Sequence, residues 1–309
     1  METALTRVWR PGWPCQVAAA MVQHRRGAAD PSWRRTTRGW FRCAATPQGP
    51  STLFVRPLSG EGVVEASAWG RGGEWALDQL PELLGALDRP PRDWAPHPVV
   101  DAALRARPHW RRAGSRLVLQ DLVPTVIEQK VTGQEAFGSY RTLVLRHGSP
   151  APGPAGERGM KVPPSNVEWS LLPSWAWLGA SVDHARAGAL TQVLARGDAL
   201  ERTLVQHPER AEEMLCAVPG IGRWTAGEVR QRALGDADAV SWFDYHVAKD
   251  FGWAVSGREF DDAEMEEFLT PWAGFRGRVV TLVRAEFGGR PRHGARMAPR
   301  RHLPDARRW

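Results

Sequence analysis

The sequence predicts a mainly α-helical protein that begins with a small α+β domain containing an antiparallel sheet. Two short apolar runs, Thr52–Val55 and Gly62–Ala66, are bounded by turns rich in glycine and proline, which is typical of strands. From about residue 98 onward, apolar residues recur at three- and four-residue spacing, the period of an amphipathic helix. The clearest such stretch contains Leu119, Leu122, Val123, Val126 and Ile127.

The same patterns divide the chain into segments. Residues 1–90 form the predicted N-terminal α+β domain, and residues 98–289 form the predicted helical domain after a proline-rich boundary. Within the helical domain, residues 149–165 are rich in proline and glycine, so we expect a flexible surface loop there. Residues 290–309 are expected to form a basic, disordered tail.

The charge is concentrated at one end of the chain. The net charge is +7, and residues 290–309 contain seven arginines and one aspartate, so residues 1–289 carry only +1. The tail is expected to be a solvated extension, with a loose electrostatic tether to DNA as the alternative. Because the rest of the chain is nearly neutral, any grip on nucleic acid must come from locally placed groups.

Cysteine use and hydropathy exclude several classes of protein. The three cysteines, Cys15, Cys43 and Cys216, share no metal-type spacing, which excludes a structural zinc and a four-cysteine iron–sulfur cluster. We therefore expect no metal site and no cofactor. The N-terminus lacks an apolar signal region, and no apolar window approaches the length of a membrane span. The sequence thus predicts a cytoplasmic protein with no membrane partner.

A glycine hairpin separates two helical patterns within residues 215–226. Proline cannot continue a helix and glycine tolerates a positive φ, so the first helix is expected to end at Pro219 and Gly220. A second helix starting near Arg223 leaves backbone N–H groups around Gly220 and Gly222 without helical partners. A phosphate at this position would accept from those groups and meet the favourable end of the helix dipole. The alternative is an ordinary packing corner between two helices.

The hairpin and a later aspartate together resemble a known family. The string Leu-Cys-Ala-Val-Pro-Gly-Ile-Gly-Arg-Trp-Thr-Ala at residues 215–226, followed by Asp244 and Tyr245, is similar to the signature of the HhH-GPD superfamily of DNA glycosylases. The similarity is greatest to the alkylation-repair branch, DNA-3-methyladenine glycosylase II, and is faint outside this region. It implies a helical HhH-GPD domain after the α+β domain, and DNA contacts by Pro219, Gly220, Ile221, Gly222, Arg223 and Thr225.

The resemblance makes Asp244 the candidate catalytic residue. An isolated aspartate before a helix is usually an N-cap, but its place after the hairpin favours catalysis. Breaking an N-glycosidic bond leaves an oxocarbenium-like sugar, which a carboxylate stabilises, and the carboxylate can also assist the attacking water. A relative with lyase activity would carry a lysine nucleophile in the hairpin, where this chain has Trp224. We therefore expect hydrolysis without lyase activity.

The resemblance also implies a base pocket and a wedge. A flipped base is held between aromatic faces, and Trp224 is expected to line the pocket, with Trp272 as a second candidate that would equally suit a core. Glu228 is a further pocket candidate, where the branch has an aromatic residue. Gln129 is expected to contact the orphaned strand, and Lys130 occupies the position expected to fill the gap left by the flipped base. An apolar wedge is usual there, so the lysine suggests a weaker wedge, an electrostatic plug or a shifted register.

The predicted function is thus base-excision repair by a monofunctional DNA glycosylase that removes alkylated purines of the 3-methyladenine type. Its partner would be double-stranded DNA containing damaged bases, and the protein would act as a monomer. The hairpin's backbone carbonyls are a possible site for a monovalent cation, as the resemblance implies. Two alternatives remain open: a glycosylase for an oxidised or deaminated base, and a non-catalytic helix-hairpin-helix DNA-binding protein.

Overall fold

The computed structural model describes residues 3–58 and 62–291. Near the N-terminus, an antiparallel sheet has the strand order β1-β5-β4-β3-β2. Its strands are β1 (Leu5–Trp9), β2 (Trp33–Arg35), β3 (Trp40–Thr46), β4 (Gly49–Leu58) and β5 (Val63–Trp69). Side chains alternate along β4 and β5: Leu53 and Val55 are buried with their partners Ala68 and Ala66, whereas Phe54 and Arg56 are partly exposed. The face that carries Leu53 and Val55 packs on three short helices.

The remainder of the described chain is mostly helical. The helices are α1 (Val17–Met21), α2 (Gly73–Asp78), α3 (Leu80–Leu83), α4 (Pro98–Ala106), α5 (Val118–Ile127), α6 (Gly133–His147), α7 (Pro154–Glu157), α8 (Asn166–Ser170), α9 (Ser174–Leu178), α10 (His184–Leu194), α11 (Gly197–Gln206), α12 (Ala211–Cys216), α13 (Arg223–Ala233), α14 (Val247–Ser256), α15 (Asp262–Phe268) and α16 (Arg276–Phe287). Single 3₁₀ turns occupy Val22–His24, Pro208–Arg210 and Thr270–Trp272. The predicted fold class, mainly α with an N-terminal antiparallel sheet, is confirmed.

Two apolar clusters organise the helices. The first surrounds α5, whose apolar residues are fully buried against α6, α10, α11 and α13. The second joins α4 and α14 to α16 around Phe251 and Met265. The segment between α13 and α14 contributes to the second cluster through Val240 and Trp242. The hairpin therefore packs on the first cluster, and the segment before Asp244 packs on the second.

Residues 149–165 differ from the sequence prediction. Two short strands, β6 (Ser149–Pro150) and β7 (Lys161–Val162), pair here as an antiparallel hairpin that encloses α7. Ala151, Ala155, Met160 and Val162 are buried against Phe41 and Cys43 of the sheet. The prediction of a flexible surface loop was wrong, because the apolar residues among the prolines and glycines pack on the sheet instead of facing water.

Buried ion pairs join the N-terminal layer to the helices. Asp88 pairs with Arg278 of α16, and both side chains are almost completely buried. Arg26 pairs with Asp121 of α5 at 3.5 Å and with Glu128 at 2.6 Å. These pairs link the two layers, and removing one member would leave an uncompensated buried charge. The division into domains at residues 90 and 98 remains a prediction.

Two further points concern the ends and the surface. Within residues 3–58 and 62–291, no helix combines the length and the apolar character that crossing a bilayer requires. Residues 292–309, which are most of the predicted basic tail, lie outside the described residues.

Candidate active site

The glycine hairpin connects α12 to α13. Gly220 has φ +88°, and a Cβ placed there would lie 2.6 Å from the Cβ of Ala189 on α10. Gly222 is the N-cap of α13, with φ −103° and ψ 179°, and a Cβ there would meet nothing within 4 Å. The two glycines are thus required for different reasons. Gly220 allows the positive φ of the turn and the close packing on α10, whereas Gly222 leaves open space before α13. No side chain of the described residues caps the first N–H groups of α13.

Gln129 holds the hairpin from the end of α5. Its amide Nε2 donates to the carbonyl oxygen of Gly220 at 3.0 Å and to Oγ1 of Thr225 at 2.9 Å. The side chain of Thr225 is only 2% exposed and faces inward, so only its backbone could meet DNA, and that contact remains a prediction. Gln129 acts here as a brace of the hairpin, since its amide points at the protein. Lys130 follows it, exposed and with φ +56°.

The other predicted DNA-contacting residues divide into two groups. Pro219, Gly220 and Gly222 are exposed, and we call these three residues the hairpin end. Ile221 is buried in the helical core, so only its backbone could reach a ligand. The guanidinium of Arg223 is held by two carboxylates, Glu212 at 3.1 Å and Glu266 at 3.2 Å. Its charge is therefore compensated within the protein, and the DNA contact of Arg223 remains a prediction.

Asp244 lies just before α14 and is half-buried. Its Oδ1 accepts from the backbone N–H groups of His246 at 2.8 Å and Val247 at 3.1 Å. Its Oδ2 accepts from the indole Nε1 of Trp224 at 3.1 Å. None of the ion pairs among the described residues involves Asp244. The carboxylate is therefore oriented by neutral donors, with no cation bonded to it.

A cavity of about 560 Å³ opens beside this carboxylate. Its wall combines residues near 22–25, α13, the segment before α14, and α16. The charged residues of the wall are Arg25, Arg112, Arg232, Arg284, Glu228 and Asp244. No Trp, Tyr or Phe of the described residues lines it. The cavity is thus polar, with two more cationic than anionic groups.

Glu228 lies in the wall of this cavity. Its Oε2 accepts from Nε and Nη2 of Arg232 at 3.2 and 3.1 Å, and its Oε1 accepts from the Ser241 hydroxyl. Burial raises the pKa of Glu228, but Arg232, the Ser241 hydroxyl and Arg26 outweigh this effect and keep its pKa below the ordinary value. Glu228 is therefore ionised at neutral pH and paired.

Neither of the two tryptophans predicted for the pocket lines this cavity. Trp272 is 5% exposed and stacks on Phe268 in the second helical cluster, with ring centres 5.6 Å apart, so its pocket prediction was wrong. Burial of its large apolar ring in the core explains the difference. Trp224 is not among the residues that line the cavity, but its indole is hydrogen-bonded to Asp244, which is in the wall, so its pocket role remains a prediction.

Sequence reasoning missed the four arginines of the wall. Arg25 follows a 3₁₀ turn near the N-terminus, Arg112 precedes α5, Arg232 is on α13 and Arg284 is on α16. Burial lowers the pKa of Arg112 to about 10, which still leaves it charged at neutral pH. No spacing in the sequence relates these positions, because they meet only when the layers pack.

The described residues hold no cluster of three or more His, Cys, Asp or Glu side chains suited to a metal ion. Two carbonyl oxygens of the hairpin are already in use: Gly220 accepts from Gln129, and Val218 accepts from the N–H of Ile221. A monovalent cation at the hairpin would share these oxygens, and it remains a prediction from the resemblance.

Solved structures share this architecture. A 3-methyladenine DNA glycosylase from Archaeoglobus fulgidus superposes with a TM-score of 0.72 at 18% identity, over 90% of this chain and 97% of that one. An MBOgg1 in complex with a low-affinity DNA ligand superposes with a TM-score of 0.66 at 13% identity, over 93% of this chain and 99% of that one. The 8-oxoguanine glycosylase/lyase of Clostridium acetobutylicum, in complex with double-stranded DNA, superposes with a TM-score of 0.65 at 12% identity, over 93% of this chain and 98% of that one.

No protein-family model and no curated protein matches the chain. At these identities, the superpositions show the fold: this chain has the fold of helix-hairpin-helix DNA glycosylases, as its hairpin and aspartate predict.

Proposed function

We propose that this chain, which has the fold of DNA glycosylases, is itself a DNA glycosylase that hydrolyses the N-glycosidic bond of a damaged base in double-stranded DNA. The observation that carries the proposal is the placement of Asp244. Its carboxylate stands in the wall of a cavity of about 560 Å³ and is oriented by three neutral donors. That volume lies within the usual range for small-ligand sites, so it accommodates an extruded base.

The chemistry follows from the charge of Asp244. As the bond from C1′ to the base nitrogen breaks, its electron pair leaves with the base and the sugar becomes oxocarbenium-like. A carboxylate at about 4 Å, with an effective dielectric of about 20, attracts this charge by about 4 kcal/mol. This attraction corresponds to roughly three decades in rate. Water then attacks C1′, and the carboxylate accepts its proton.

The lysines support hydrolysis without lyase activity. The chain has three lysines, Lys130, Lys161 and Lys249. None of them lines the cavity, and the ammonium of Lys249 lies 4.3 Å from the centre of the Tyr245 ring. A Schiff base at C1′ requires a lysine amine beside the sugar, which this site does not offer. We therefore propose a monofunctional enzyme.

Two classes of lesion are candidates. An alkylated purine of the 3-methyladenine type is the first, and it rests on the sequence resemblance and on the acidic residues Glu228 and Asp244. An oxidised or deaminated base is the second, and the cavity lining favours it. Of the four wall arginines, Arg232 is paired with Glu228 and Arg284 with Asp250. Arg25 and Arg112 are therefore the wall cations that repel a cationic base and can donate to carbonyl oxygens. No aromatic side chain of the described residues lines the wall to bind such a base.

The experiment is a base-release assay on duplexes that each carry one alkylated, oxidised or deaminated base. We expect abasic sites to form in at least one of these duplexes. Asp244→Asn should slow base release by about three decades and retain DNA binding. Asp78→Asn, at an exposed aspartate of α2, is the matched control and should keep full activity. DNA binding without release of any base would instead support a non-catalytic helix-hairpin-helix protein.

The conditions of action are also proposals. We propose that the enzyme works as a monomer in the cytoplasm, in base-excision repair, without a cofactor. Sedimentation of the protein alone and with duplex DNA measures the first of these points.

A further inference from the structure

Phe243, the residue before Asp244, has two unusual properties. Its side chain is 65% exposed, and its backbone has φ +64°, a conformation that is rare for an aromatic residue. The backbone N–H of Phe243 donates to Oδ1 of Asp262, the first residue of α15, at 2.7 Å. A side chain from another helix thus holds a strained backbone that presents an apolar ring to water, and such strain is typical of functional sites.

The ring lies beside the residues proposed to meet DNA. The guanidinium of Arg223 is 5.8 Å from the centre of the Phe243 ring, and Arg223 directly follows Gly222 of the hairpin end. On the other side, Phe243 is one peptide unit, about 3.8 Å between Cα atoms, from Asp244. If Asp244 faces C1′ of an extruded nucleotide, the Phe243 ring is within reach of that nucleotide's neighbours.

Lys130 is the other exposed non-glycine residue at this end of the molecule with positive φ, at +56°. It follows Gln129, which braces the hairpin. An ammonium does not replace a base in the stack, whereas an apolar ring does, and proteins that open base steps insert apolar side chains. The ring at position 243 therefore fits the role for which the lysine is poorly suited.

We propose that Phe243 packs against the bases next to the extruded nucleotide and holds the duplex open, as the apolar wedge of this site. The proposal rests on the proposed function, because it takes Asp244 as the group that faces the sugar. The partner chemistry is a nucleobase face in duplex DNA, which stacks on an aromatic ring irrespective of sequence.

Extrusion is measured separately from base release. In an Asp244→Asn background, duplexes with 2-aminopurine beside the lesion report opening of the stack by fluorescence. We expect Phe243→Ala to reduce the opening at least about tenfold, Phe243→Leu to retain most of it, and Lys130→Ala to change it less. Trp175→Ala, at an exposed tryptophan of α9, is the matched aromatic control and should have no effect.

A structural role is tested by Phe243→Gly. Glycine adopts positive φ freely, so this variant should unfold no more easily than the wild type and still fail to open the duplex. Base release by Phe243→Ala should fall on duplex substrate and change little on single-stranded substrate, where no extrusion is needed. Opening that is unchanged in both Phe243→Ala and Phe243→Gly would overturn the proposal. Absence of base release by the wild type would overturn the proposed function, and the fluorescence would still decide the role of Phe243.

Discussion

The indole Nε1 of Trp224 donates a hydrogen bond to Oδ2 of Asp244 at 3.1 Å. The tryptophan is in the first turn of α13 and the aspartate precedes α14, so the bond joins the hairpin to the proposed catalytic carboxylate. Because Oδ1 is held by two backbone N–H groups of α14, the indole fixes the remaining rotation of the carboxylate. We therefore propose that Trp224 positions this carboxylate, whereas the family resemblance implies that it lines the base pocket.

Trp224→Phe removes the donor and keeps an aromatic ring. We expect base release under single-turnover conditions to slow by about tenfold, the value of one hydrogen bond of about 1–1.5 kcal/mol, with DNA affinity unchanged. Trp175→Phe is the control at an exposed tryptophan. If Trp224 instead stacks on a cationic base, the variant should weaken binding of that substrate alone and leave the rate on bound substrate intact.

The two hairpin glycines are expected to respond differently to substitution. Gly220→Ala should lower the free energy of unfolding by about 1–2 kcal/mol or more, because its φ of +88° is unfavourable for alanine and the new Cβ meets Ala189. Gly222→Leu should lower it less, by about 0.5 kcal/mol, since its backbone suits any residue and the space is open, and only the poorer N-cap preference of leucine opposes it.

Gly222→Leu should nevertheless weaken DNA binding to all sequences alike, because the side chain blocks the approach of a phosphate to the N-terminus of α13. Thermal unfolding and binding to unrelated duplexes, measured at one salt concentration, separate the two glycines. A loss of affinity confined to one DNA sequence would contradict the phosphate role.

Glu201 on α11 predicts a dependence of stability on pH. Burial raises the pKa of the Glu201 carboxyl from 4.5 to about 7, against the hydrogen bond from Asn166. The folded state holds the Glu201 proton more tightly than the unfolded state does. The contribution of this proton to the free energy of unfolding is therefore complete below pH 4.5. The contribution is lost as the pH rises to about 7, at a cost of about 3 kcal/mol.

Glu201→Gln carries no titrating proton at this position. Its free energy of unfolding should match the wild type near pH 4 and exceed it by up to about 3 kcal/mol at pH 8. Denaturant unfolding across this pH range measures the difference, with Glu267→Gln, at an exposed position of α15, as the control. A difference that stays constant with pH would show that proton binding at Glu201 is not its source.

The helical periodicity of α5 and the glycines of the hairpin could be interpreted from the sequence because they express local rules. A buried helix face repeats every three to four residues, and a tight turn requires glycine where φ is positive. The hairpin was therefore accessible from local rules, the helical periodicity indicated the fold class, and the family resemblance of the hairpin singled out Asp244. The structure of residues 149–165 could not be predicted in this way, because the prolines and glycines of this segment indicate a loop. Its buried residues are explained only by their contact with Phe41 and Cys43 of the sheet.

The composition of the cavity depends on packing alone. Arg25 and Arg284 lie at opposite ends of the described chain, and they share one wall with Glu228 because the N-terminal layer, α13 and α16 are packed together. The resemblance implies that Trp272 is a pocket residue, but in the structure it stacks on Phe268 within the core. The neighbours of this tryptophan decide its role, and they cannot be read from its residue type. Local backbone preferences thus place the hairpin and the carboxylate in the chain, whereas the charges that meet an extruded base arise from contacts between residues far apart in it.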